Sequence, residues 1–332
     1  MNLQNLIFVI SFSCFTLPVS AFSFVEGKDI TEQLNQAIKE LYVGEVLEIP
    51  AGRYKVDANK SIVLKSNISI NLSPQTYLEI IPNNSQSYKL FKIHNLKNVN
   101  INGGNLIGDK YTHEGKSGEW GMGVEIRDSQ NISISNMNIN QMWGDAIYIG
   151  SNGKNLNKNI ILKNIAMNDN QRQGLSVISV ENLYASNLSI YNTSGKSPMS
   201  GIDIEPNSPS NILKNINFNN IKTGNNKGAG FLISLNQYKK SNNEISIYLS
   251  NFSDEGSKMG LRISNADPSV KGLININKIQ LKNNKVSNYC IRKWSNNKIK
   301  VSIQGLIHDM PYTNKKEWCS PYENSLYLNI SK

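Results

Sequence analysis

The chain has 332 residues, of which 39% are hydrophobic and 18% are charged, and its formal net charge is +10. The basic residues are spread along the chain without a run, which excludes a basic nucleic-acid-binding arm. No stretch after residue 21 is apolar enough to cross a bilayer, so we expect no membrane anchor. The three histidines are far apart in sequence, which excludes zinc-ligand spacing and a Ser/His/Asp triad.

The first 21 residues have the pattern of a secretory signal. They contain no Lys, Arg, Asp or Glu, and their apolar run from Leu6 to Phe15 is too short to span a membrane. Val19-Ser20-Ala21 then supplies a small-x-small cleavage pattern. We predict a signal peptide at 1–21, a single mature domain at 22–332, and a secreted or periplasmic location. For an exported basic protein, an acidic polysaccharide is a more natural partner than nucleic acid, with surface solubility as the alternative reason for the charge.

A short amphipathic helix is predicted near the start of the mature chain. Apolar residues recur on one helical face between Asp29 and Leu41, and Asp29 or Thr31 is the expected cap. Short strands follow, ending in Asn residues that we interpret as structural, because Asn tolerates left-handed backbone geometry and stacks into ladders. We assign 22–60 to an N-terminal cap, 61–285 to coils, and 286–332 to C-terminal coils and a second cap.

One strand pattern recurs from Gly121 to Ser264: a small residue, an aliphatic residue or Phe, a variable residue, then Val or Ile. Successive copies begin 23, 28, 27, 29 and 30 residues apart, at Gly123, Ala146, Gly174, Gly201, Gly230 and Gly260. This alternation is typical of a strand with one buried face. The near-constant period, without a helical pattern inside it, predicts an all-β solenoid of stacked coils.

Stacking the six copies in register gives columns of side chains. The second and fourth positions are apolar throughout and form two inward columns. The third position forms an outward column of mixed chemistry: Glu125, Tyr148, Ser176, Asp203, Leu232 and Arg262. Two residues further on, a second outward column begins at Arg127 and includes Glu205. A hydrophobic core explains only the inward columns, so we expect the functional site on the outward face.

Paired carboxylates on this face indicate acid–base chemistry. Asp203 and Glu205 share one side of a strand, with Cα atoms roughly 6.5–7 Å apart. Asp145 lies two coils earlier and Arg172 enters the coil between them. Glycoside hydrolysis needs one protonated and one ionised carboxyl group, and close carboxylates raise one of the two pKa values. We predict these four residues as catalytic; the alternative is a carboxylate ladder neutralised by arginines.

Other residues on this face are candidates for binding the substrate. The stretch from Gly104 to Gly123 interrupts the coil rhythm and is predicted to form either one wall of a groove or an ordinary surface loop. We interpret His113 within it as a loop residue, and the nearby aromatic rings, Tyr111 included, as sugar-stacking surfaces or coil-edge packing. The predicted substrate-binding residues are Glu125, Tyr148, Trp143, Trp120, Ser176 and Arg262. No cofactor is expected to be required, although Asp203, Glu205 and Asn207 are candidate calcium ligands.

Two cysteines remain in the mature chain, Cys290 and Cys319, 29 residues or about one coil apart. In an exported protein we expect them to form a disulfide that links neighbouring C-terminal coils, with two reduced thiols as the alternative.

Three segments resemble the pectate-lyase-like superfamily: Trp143-Gly-Asp-Ala-Ile-Tyr-Ile-Gly150, Arg172-Gln-Gly-Leu-Ser-Val-Ile178 and Gly201-Ile-Asp-Ile-Glu-Pro-Asn207. The turn Ile49-Pro-Ala-Gly52 also resembles the start of the first coil in those proteins and in phage tailspikes. The resemblance implies a single-stranded right-handed parallel β-helix whose short N-terminal helix covers its open end.

Within that superfamily, polygalacturonases carry Gly-Asp-Asp on one coil and Gly-His-Gly on the next. Here Gly144-Asp145 matches the first motif in part, but Ala146 replaces its second Asp and Gln173 replaces the His. The chain therefore departs from a standard polygalacturonase, and the partial match implies only that Asp145 is a candidate catalytic acid.

The function predicted from these features is an exported polysaccharide-degrading enzyme, a glycoside hydrolase acting on an acidic, uronate-containing polysaccharide. One alternative is a polysaccharide lyase or C5-epimerase, in which Arg172 or calcium neutralises the substrate carboxylate and Tyr148 or a Lys is the base. The other alternative is a non-catalytic glycan-binding or structural β-helix.

Overall fold

The computed structural model describes residues 23–153, 156–264, 268–292, 298–309 and 328–330. Within these residues the chain forms one helix, α1 (Thr31–Glu40), and 23 strands. In chain order the strands are β1 (Val46–Ile49), β2 (Gly52–Val56), β3 (Ile62–Val63), β4 (Ile68–Leu72), β5 (Thr76–Ile80), β6 (Ser87–His94), β7 (Lys97–Asn102), β8 (Asn105–Ile107), β9 (Trp120–Arg127), β10 (Gln130–Asn140), β11 (Ile147–Gly150), β12 (Lys158–Asn168), β13 (Gln173–Val177), β14 (Val180–Tyr191), β15 (Ser200–Ile204), β16 (Leu213–Gly224), β17 (Ala229–Ser234), β18 (Ile245–Glu255), β19 (Met259–Ser264), β20 (Gly272–Lys282), β21 (Ser287–Arg292), β22 (Ile299–His308) and β23 (Leu328–Ile330). The predicted signal peptide at 1–21 lies outside the described residues.

The strands form two long parallel sheets. Sheet A has 14 described strands along the path β1-β4-β7-β10-β12-β14-β16-β18-β20-β22-β23, with β2, β5 and β8 beside it. Sheet B has nine described strands in the order β21-β19-β17-β15-β13-β11-β9-β6-β3. Neighbours in a sheet come from successive coils, as where β11 pairs in parallel with β9 before it and β13 after it. This stacking of coils confirms the predicted parallel β-helix.

The register of sheet B matches the inward columns read from the sequence. Ile147 pairs with Val124 on one side and Leu175 on the other, and the same relation continues through the later coils. Every side chain of both inward columns is buried. These side chains join those from sheet A in one continuous hydrophobic core that runs the length of the coils.

The helix α1 lies at the N-terminal end of this core. It begins at Thr31 and ends at Glu40, slightly inside the predicted bounds, and it packs against β3. Its buried face includes Leu34, Ala37 and Ile38. The N-cap position is occupied by Ile30 and not by the predicted Asp29 or Thr31. The Asp29 carboxylate, one residue earlier, accepts a hydrogen bond from the Thr31 backbone N–H at 2.9 Å and so satisfies one of the unpaired N–H groups at the helix start. Parallel pairing already begins at β1 and β2, within the stretch assigned to the cap.

Asparagine ladders fix the corners of sheet A, as predicted. In the longer ladder each Asn side-chain amide donates to the Asn one coil earlier at 2.7–3.0 Å, in the order Asn98 to Asn67, Asn131 to Asn98, Asn159 to Asn131, Asn182 to Asn159 and Asn215 to Asn182. All six residues have φ between 53° and 63°. Asn is favoured here because it tolerates this left-handed backbone and satisfies its neighbour's hydrogen bond at the same position.

The small residue that opens each repeat is required by the spacing of the coils. A Cβ atom on Gly174 would lie 2.6 Å from the Gly201 carbonyl oxygen, and one on Gly201 would lie 2.6 Å from the Gly230 carbonyl oxygen. Each glycine therefore leaves room for the backbone of the next coil.

A buried carboxyl group inside the later coils was not predicted. Asp254 accepts hydrogen bonds from Thr223 Oγ1 at 2.5 Å and Ser257 Oγ at 2.7 Å, and also from Asn284 Nδ2. Burial raises the pKa of Asp254 to about 6, although these hydrogen bonds oppose the rise. A Cβ on Gly230 would lie 2.2 Å from its Oδ2, so this glycine also makes room for the carboxyl group.

Candidate active site

The predicted outward column is present on sheet B. Adjacent members pair directly in register: Glu125 with Tyr148, Tyr148 with Ser176, Ser176 with Asp203, Asp203 with Leu232, and Leu232 with Arg262. The structure extends the column in the N-terminal direction, because Lys92 pairs with Glu125. At the other end, half-buried Arg262 pairs with Cys290.

Most of this column is buried, although the strand pattern predicted that only the opposite, inward face would be. Glu125 is 1% exposed, Asp203 2% and Leu232 4%. Within the column, Tyr148 packs with Met122 and Ile178 in a small apolar cluster that is separate from the main core. Because burial removes water from charged groups, the ionisation of the column depends on its neighbours.

Asp145 is a fully buried carboxylate held by two donors. Arg172 Nη1 lies 3.3 Å from Oδ1 and 3.2 Å from Oδ2, and Ser176 Oγ donates to Oδ2 at 2.7 Å. Burial raises the pKa of Asp145, while the Arg172 charge and the Ser176 hydrogen bond oppose that rise. Asp145 and Arg172 therefore lie in contact, as predicted, and Ser176 also contacts the Asp145 carboxylate.

Asp203 is the carboxyl group of the column whose surroundings raise its pKa. Gln173 Nε2 donates to its Oδ2 at 2.7 Å, and Gln173 Oε1 accepts the backbone N–H of Ser200 at 2.9 Å. Its other oxygen, Oδ1, is buried without a hydrogen-bond donor. Burial raises the pKa of Asp203 well above its usual value; the neighbouring Glu205 raises it further, and Arg172 opposes the rise.

The missing donor at Asp203 has a direct chemical interpretation. Its acidic neighbour, Glu205, is half-buried just after β15. Two ionised carboxylates can only accept hydrogen bonds, so neither can satisfy the other. If Asp203 keeps its proton, its carboxyl group becomes a donor and the repulsion between two neighbouring carboxylates is removed. The arrangement therefore favours the protonated form of Asp203, the direction in which burial and the Glu205 charge raise its pKa.

The coil that contains β13 connects the two aspartates. It supplies Arg172 and Ser176 to Asp145, and Gln173 to Asp203. Asp145 and Asp203 lie one coil to either side, which corresponds to about 9–10 Å along the axis at about 4.8 Å per coil. The predicted catalytic residues are thus brought together, and Gln173, at the position where the polygalacturonase motif has a His, is an additional member of the site.

The insertion before β9 contributes to the same site. Glu119 Oε1 lies 3.5 Å from Arg172 Nε, which gives the arginine a second carboxylate partner. The sequence offered one signal for Glu119, its place in the polar insertion from Gly104 to Gly123.

A buried cluster anchors this insertion. Asp109 accepts a hydrogen bond from the Tyr88 hydroxyl and lies 2.8 Å, Oδ2 to Nδ1, from His113. The His113 ring stacks on Trp143, with ring centroids 4.0 Å apart. The insertion is therefore anchored to the coils through Asp109 and His113, and His113 is a packing residue within it.

The aromatic side chains predicted to stack on sugars differ in their surroundings: two are packed against other side chains and two are exposed. Trp143 packs on His113, and Tyr148 is covered by Arg127, whose guanidinium carbon lies 4.8 Å from the ring centroid. Trp120 is 45% exposed and remains available for stacking. Tyr111 is exposed, and its hydroxyl donates to Asp169 Oδ2 at 2.8 Å.

Glu125 lies in a basic cluster on β6 and β9. His94 Nε2 lies 2.6 Å from Glu125 Oε2, Arg127 Nη2 lies 2.9 Å from Oε1, and Lys89 Nζ lies 4.0 Å from Oε1. Burial alone raises the pKa of Glu125, but the His94 hydrogen bond and the charges of Arg127 and Lys89 outweigh it, so the pKa lies below its usual value. Glu125 is thus an ionised, cation-bound group.

Two further predictions concern metal binding and the disulfide. Asn207, a candidate calcium ligand, is exposed, and its backbone N–H is bound by Asn211 Oδ1 at 2.9 Å. Among the described residues, no group of three or more His, Cys, Asp or Glu side chains is placed to hold a metal ion.

Cys290 is buried in β21, and Cys319 lies outside the described residues, so the bridge stays a prediction. The part of the chain that the structure describes contains no helix long and apolar enough to cross a membrane.

Curated relatives are similar over half of the chain. The SPbeta prophage-derived uncharacterized protein YorA of Bacillus subtilis (strain 168) is 27% identical over 209 residues, which cover 53% of this chain and 35% of YorA. The uncharacterized protein YclG of the same organism is 28% identical over 213 residues, covering 54% and 36% respectively. The matched region thus spans about a third of each relative's length. No protein-family profile matches the chain.

Solved structures with the same architecture cover most of the chain. A polygalacturonase from Erwinia carotovora ssp. carotovora covers 96% of this chain and is itself covered completely, with a TM-score of 0.67 and 12% identity. The tailspike protein gp49 of Acinetobacter baumannii bacteriophage Fri1, a capsular polysaccharide depolymerase, gives 0.60 and 11%, with 85% of this chain and 60% of that chain covered. The A-module of the Azotobacter vinelandii mannuronan C-5 epimerase AlgE6 gives 0.59 and 14%, with 85% and 72% covered. At these identities the likeness establishes the fold alone: the chain is a single-stranded right-handed parallel β-helix.

Proposed function

We propose that the protein is an exported glycosidase that hydrolyses an acidic polysaccharide on the outward face of sheet B. The observation that carries the proposal is the buried Asp203 carboxyl group, with an oxygen that lacks a donor and a second carboxyl group, Glu205, as its neighbour. The polysaccharide-active proteins among the structural neighbours support the substrate class, and the net charge of +10 supports its acidic character.

Asp203 is proposed as the general acid. A glycosidic oxygen is a poor leaving group unless it is protonated, so the acid must still hold its proton near neutral pH. Burial and the adjacent Glu205 both raise the pKa of Asp203 in the direction this role requires. Glu205 is the more exposed of the two groups and is proposed to face the substrate.

Asp145 is proposed as the base. Arg172 and Ser176 favour its ionised form, and burial raises the pKa of Asp145, which makes the carboxylate a stronger proton acceptor. Its separation from Asp203 by two coils is compatible with the roughly 6.5–9.5 Å between carboxyl groups that leaves room for a water molecule.

The proposed step is a hydrolysis that consumes one water. Asp203 gives its proton to the glycosidic oxygen as the bond between that oxygen and the anomeric carbon breaks. The water oxygen adds to the anomeric carbon, and one water proton passes to Asp145. Exchange with solvent then returns a proton to Asp203 and restores Asp145 to its ionised form.

The lyase and epimerase alternative receives less support at Tyr148. Burial raises the pKa of Tyr148, despite the adjacent Arg127 charge, so the phenol is less able to act as a base at neutral pH.

A digest of defined glycans tests the proposed activity. The purified protein is incubated with polygalacturonate, alginate, carrageenan and neutral dextran, in parallel with calcium and with a chelator. We expect new reducing ends from at least one acidic glycan, without the ultraviolet absorbance of an unsaturated uronate. An absorbing product would instead show a lyase, and unchanged chain lengths would favour an epimerase or a non-catalytic glycan-binding protein.

A further inference from the structure

Four basic side chains lie beside Glu125 on β6 and β9, towards the N-terminal end of sheet B. Lys92 pairs in register with Glu125 and His94 with Arg127, which places β6 side chains directly beside those of β9. Lys89, three residues before Lys92 on the same strand, approaches the same carboxylate, with Nζ 4.0 Å from Oε1.

The basic charge in this cluster exceeds what Glu125 can neutralise. Lys89, Lys92 and Arg127 carry three positive charges against one negative charge, and His94 adds another when protonated. Burial lowers the pKa of Lys89, the Glu125 charge opposes this, and Arg127 and Lys92 lower it further. The cations therefore repel one another, and an added anion would relieve that repulsion.

The cationic side chains are partly exposed to solvent, whereas the Glu125 carboxylate beneath them is buried. The side chains of Lys89, His94 and Arg127 are 21%, 20% and 20% exposed, whereas that of Glu125 is 1% exposed. Arg127 is held in place by Glu125, by the Ser151 carbonyl oxygen at 3.2 Å and by the Tyr148 ring. Glu125 thus acts as a buried anchor that holds the cations at the surface of sheet B.

The basic cluster and the proposed catalytic residues lie on one line. Glu125 and Asp203 occupy the same column, three coils apart, which corresponds to about 14 Å at about 4.8 Å per coil. A polysaccharide lying along the column would reach the cations around Glu125 and the proposed catalytic residues at the same time.

We propose that Lys89, Lys92, His94 and Arg127 form a subsite that binds an anionic group of the glycan, a carboxylate or a sulfate ester, several sugar units from the cleavage point. This subsite rests on the proposed function for its glycan ligand. It also assigns Glu125 to positioning the cations rather than to contacting the sugar.

Binding to a cleavage-deficient protein tests the subsite. In the Asp203→Asn background, calorimetry compares oligogalacturonate, dextran sulfate and neutral dextran as ligands. Lys92→Gln is expected to weaken the binding of at least one anionic probe by about 10-fold, with little effect on dextran. The preferred probe distinguishes a carboxylate from a sulfate. Lys163→Gln is the matched control, because Lys163 is an exposed lysine on β12 of sheet A and its substitution changes the net charge equally.

The subsite is overturned if Lys92→Gln and Lys163→Gln bind alike, or if neither anionic probe binds more tightly than dextran. Lys89→Gln repeats the test if Lys92→Gln lowers the melting temperature. Because binding is read without turnover, the two proposals can fail separately. If binding depends on Lys92 but no glycan is cleaved, the subsite is retained and the glycosidase is rejected. If a glycan is cleaved but binding does not depend on Lys92, the glycosidase is retained and the subsite is rejected.

Discussion

Replacing Asp203 with Asn is expected to lower the turnover number by about 100-fold to 10,000-fold, because the amide cannot give a proton to the leaving oxygen. The melting temperature should stay the same or rise. Asn resembles the protonated acid in shape, and it removes a buried group for which ionisation is unfavourable. The measurements are turnover on the glycan identified by the digest, glycan affinity and the thermal midpoint.

Glu205→Gln should also lower turnover, since it removes the charge that helps keep the proton on Asp203. Glu181→Gln is the control: Glu181 is a partly buried glutamate of sheet A, bound to Lys214 at 3.0 Å and Lys158 at 3.4 Å. Full activity in both Asp203→Asn and Glu205→Gln would remove this pair from the mechanism and direct attention to Asp145 with Glu125.

The second large effect is expected at Arg172. Substitution with Gln leaves Asp145 buried without its cation and Glu119 without its partner. Breaking a buried ion pair from one side should lower the free energy of unfolding by about 3 kcal/mol. Arg53→Gln is the matched control, because Arg53 is largely exposed in its ion pair with Glu79, and its loss should cost less than about 1 kcal/mol.

The loss at Arg172 should also depend on pH with a definite sign. Without the guanidinium, the pKa of Asp145 rises further above its value in the unfolded chain. A group whose pKa is raised by folding contributes stability at low pH that is lost as the pH rises through the folded-state pKa. The deficit of Arg172→Gln relative to the unsubstituted protein should therefore be larger in alkaline than in acidic buffer. The ascending limb of the pH–activity profile should move to higher pH, because Asp145 must be ionised to act as base.

Urea unfolding at several pH values, together with the pH–activity profile, checks these expectations. A deficit equal to that of Arg53→Gln, or one that shrinks as the pH rises, would contradict the role assigned to Arg172.

The repeats on sheet B could be read directly from the sequence. The Gly or Ala that opens each copy marks a place where the next coil's backbone passes within contact distance, and the apolar residues at the second and fourth positions mark the inward face. Because the side-chain period of a strand is two, these markers fix which residues share the outward face. Glu125, Tyr148, Ser176 and Asp203 were aligned correctly for this reason.

The residues that complete the site were harder to find. Lys92 and His94 lie before the insertion, and their strand opens with Leu90 in place of a small residue, so the repeat pattern does not extend to them. Gln173 precedes the repeated motif, and its two hydrogen bonds depend on side-chain direction at the turn. The burial of the outward column also depends on which side chains fold over it, which a strand period does not specify.

The most direct test of the central claim is the protonation state of Asp203. Carbon-13 NMR follows the side-chain carboxyl signals as a function of pH, and the signal absent from Asp203→Asn identifies the residue. We predict that Asp203 titrates well above the usual value for an aspartic acid, and that Glu205→Gln moves its midpoint downward because a neighbouring carboxylate has been removed. A midpoint at or below the usual value would show that Asp203 is ionised at neutral pH, and that result would contradict its role as the general acid.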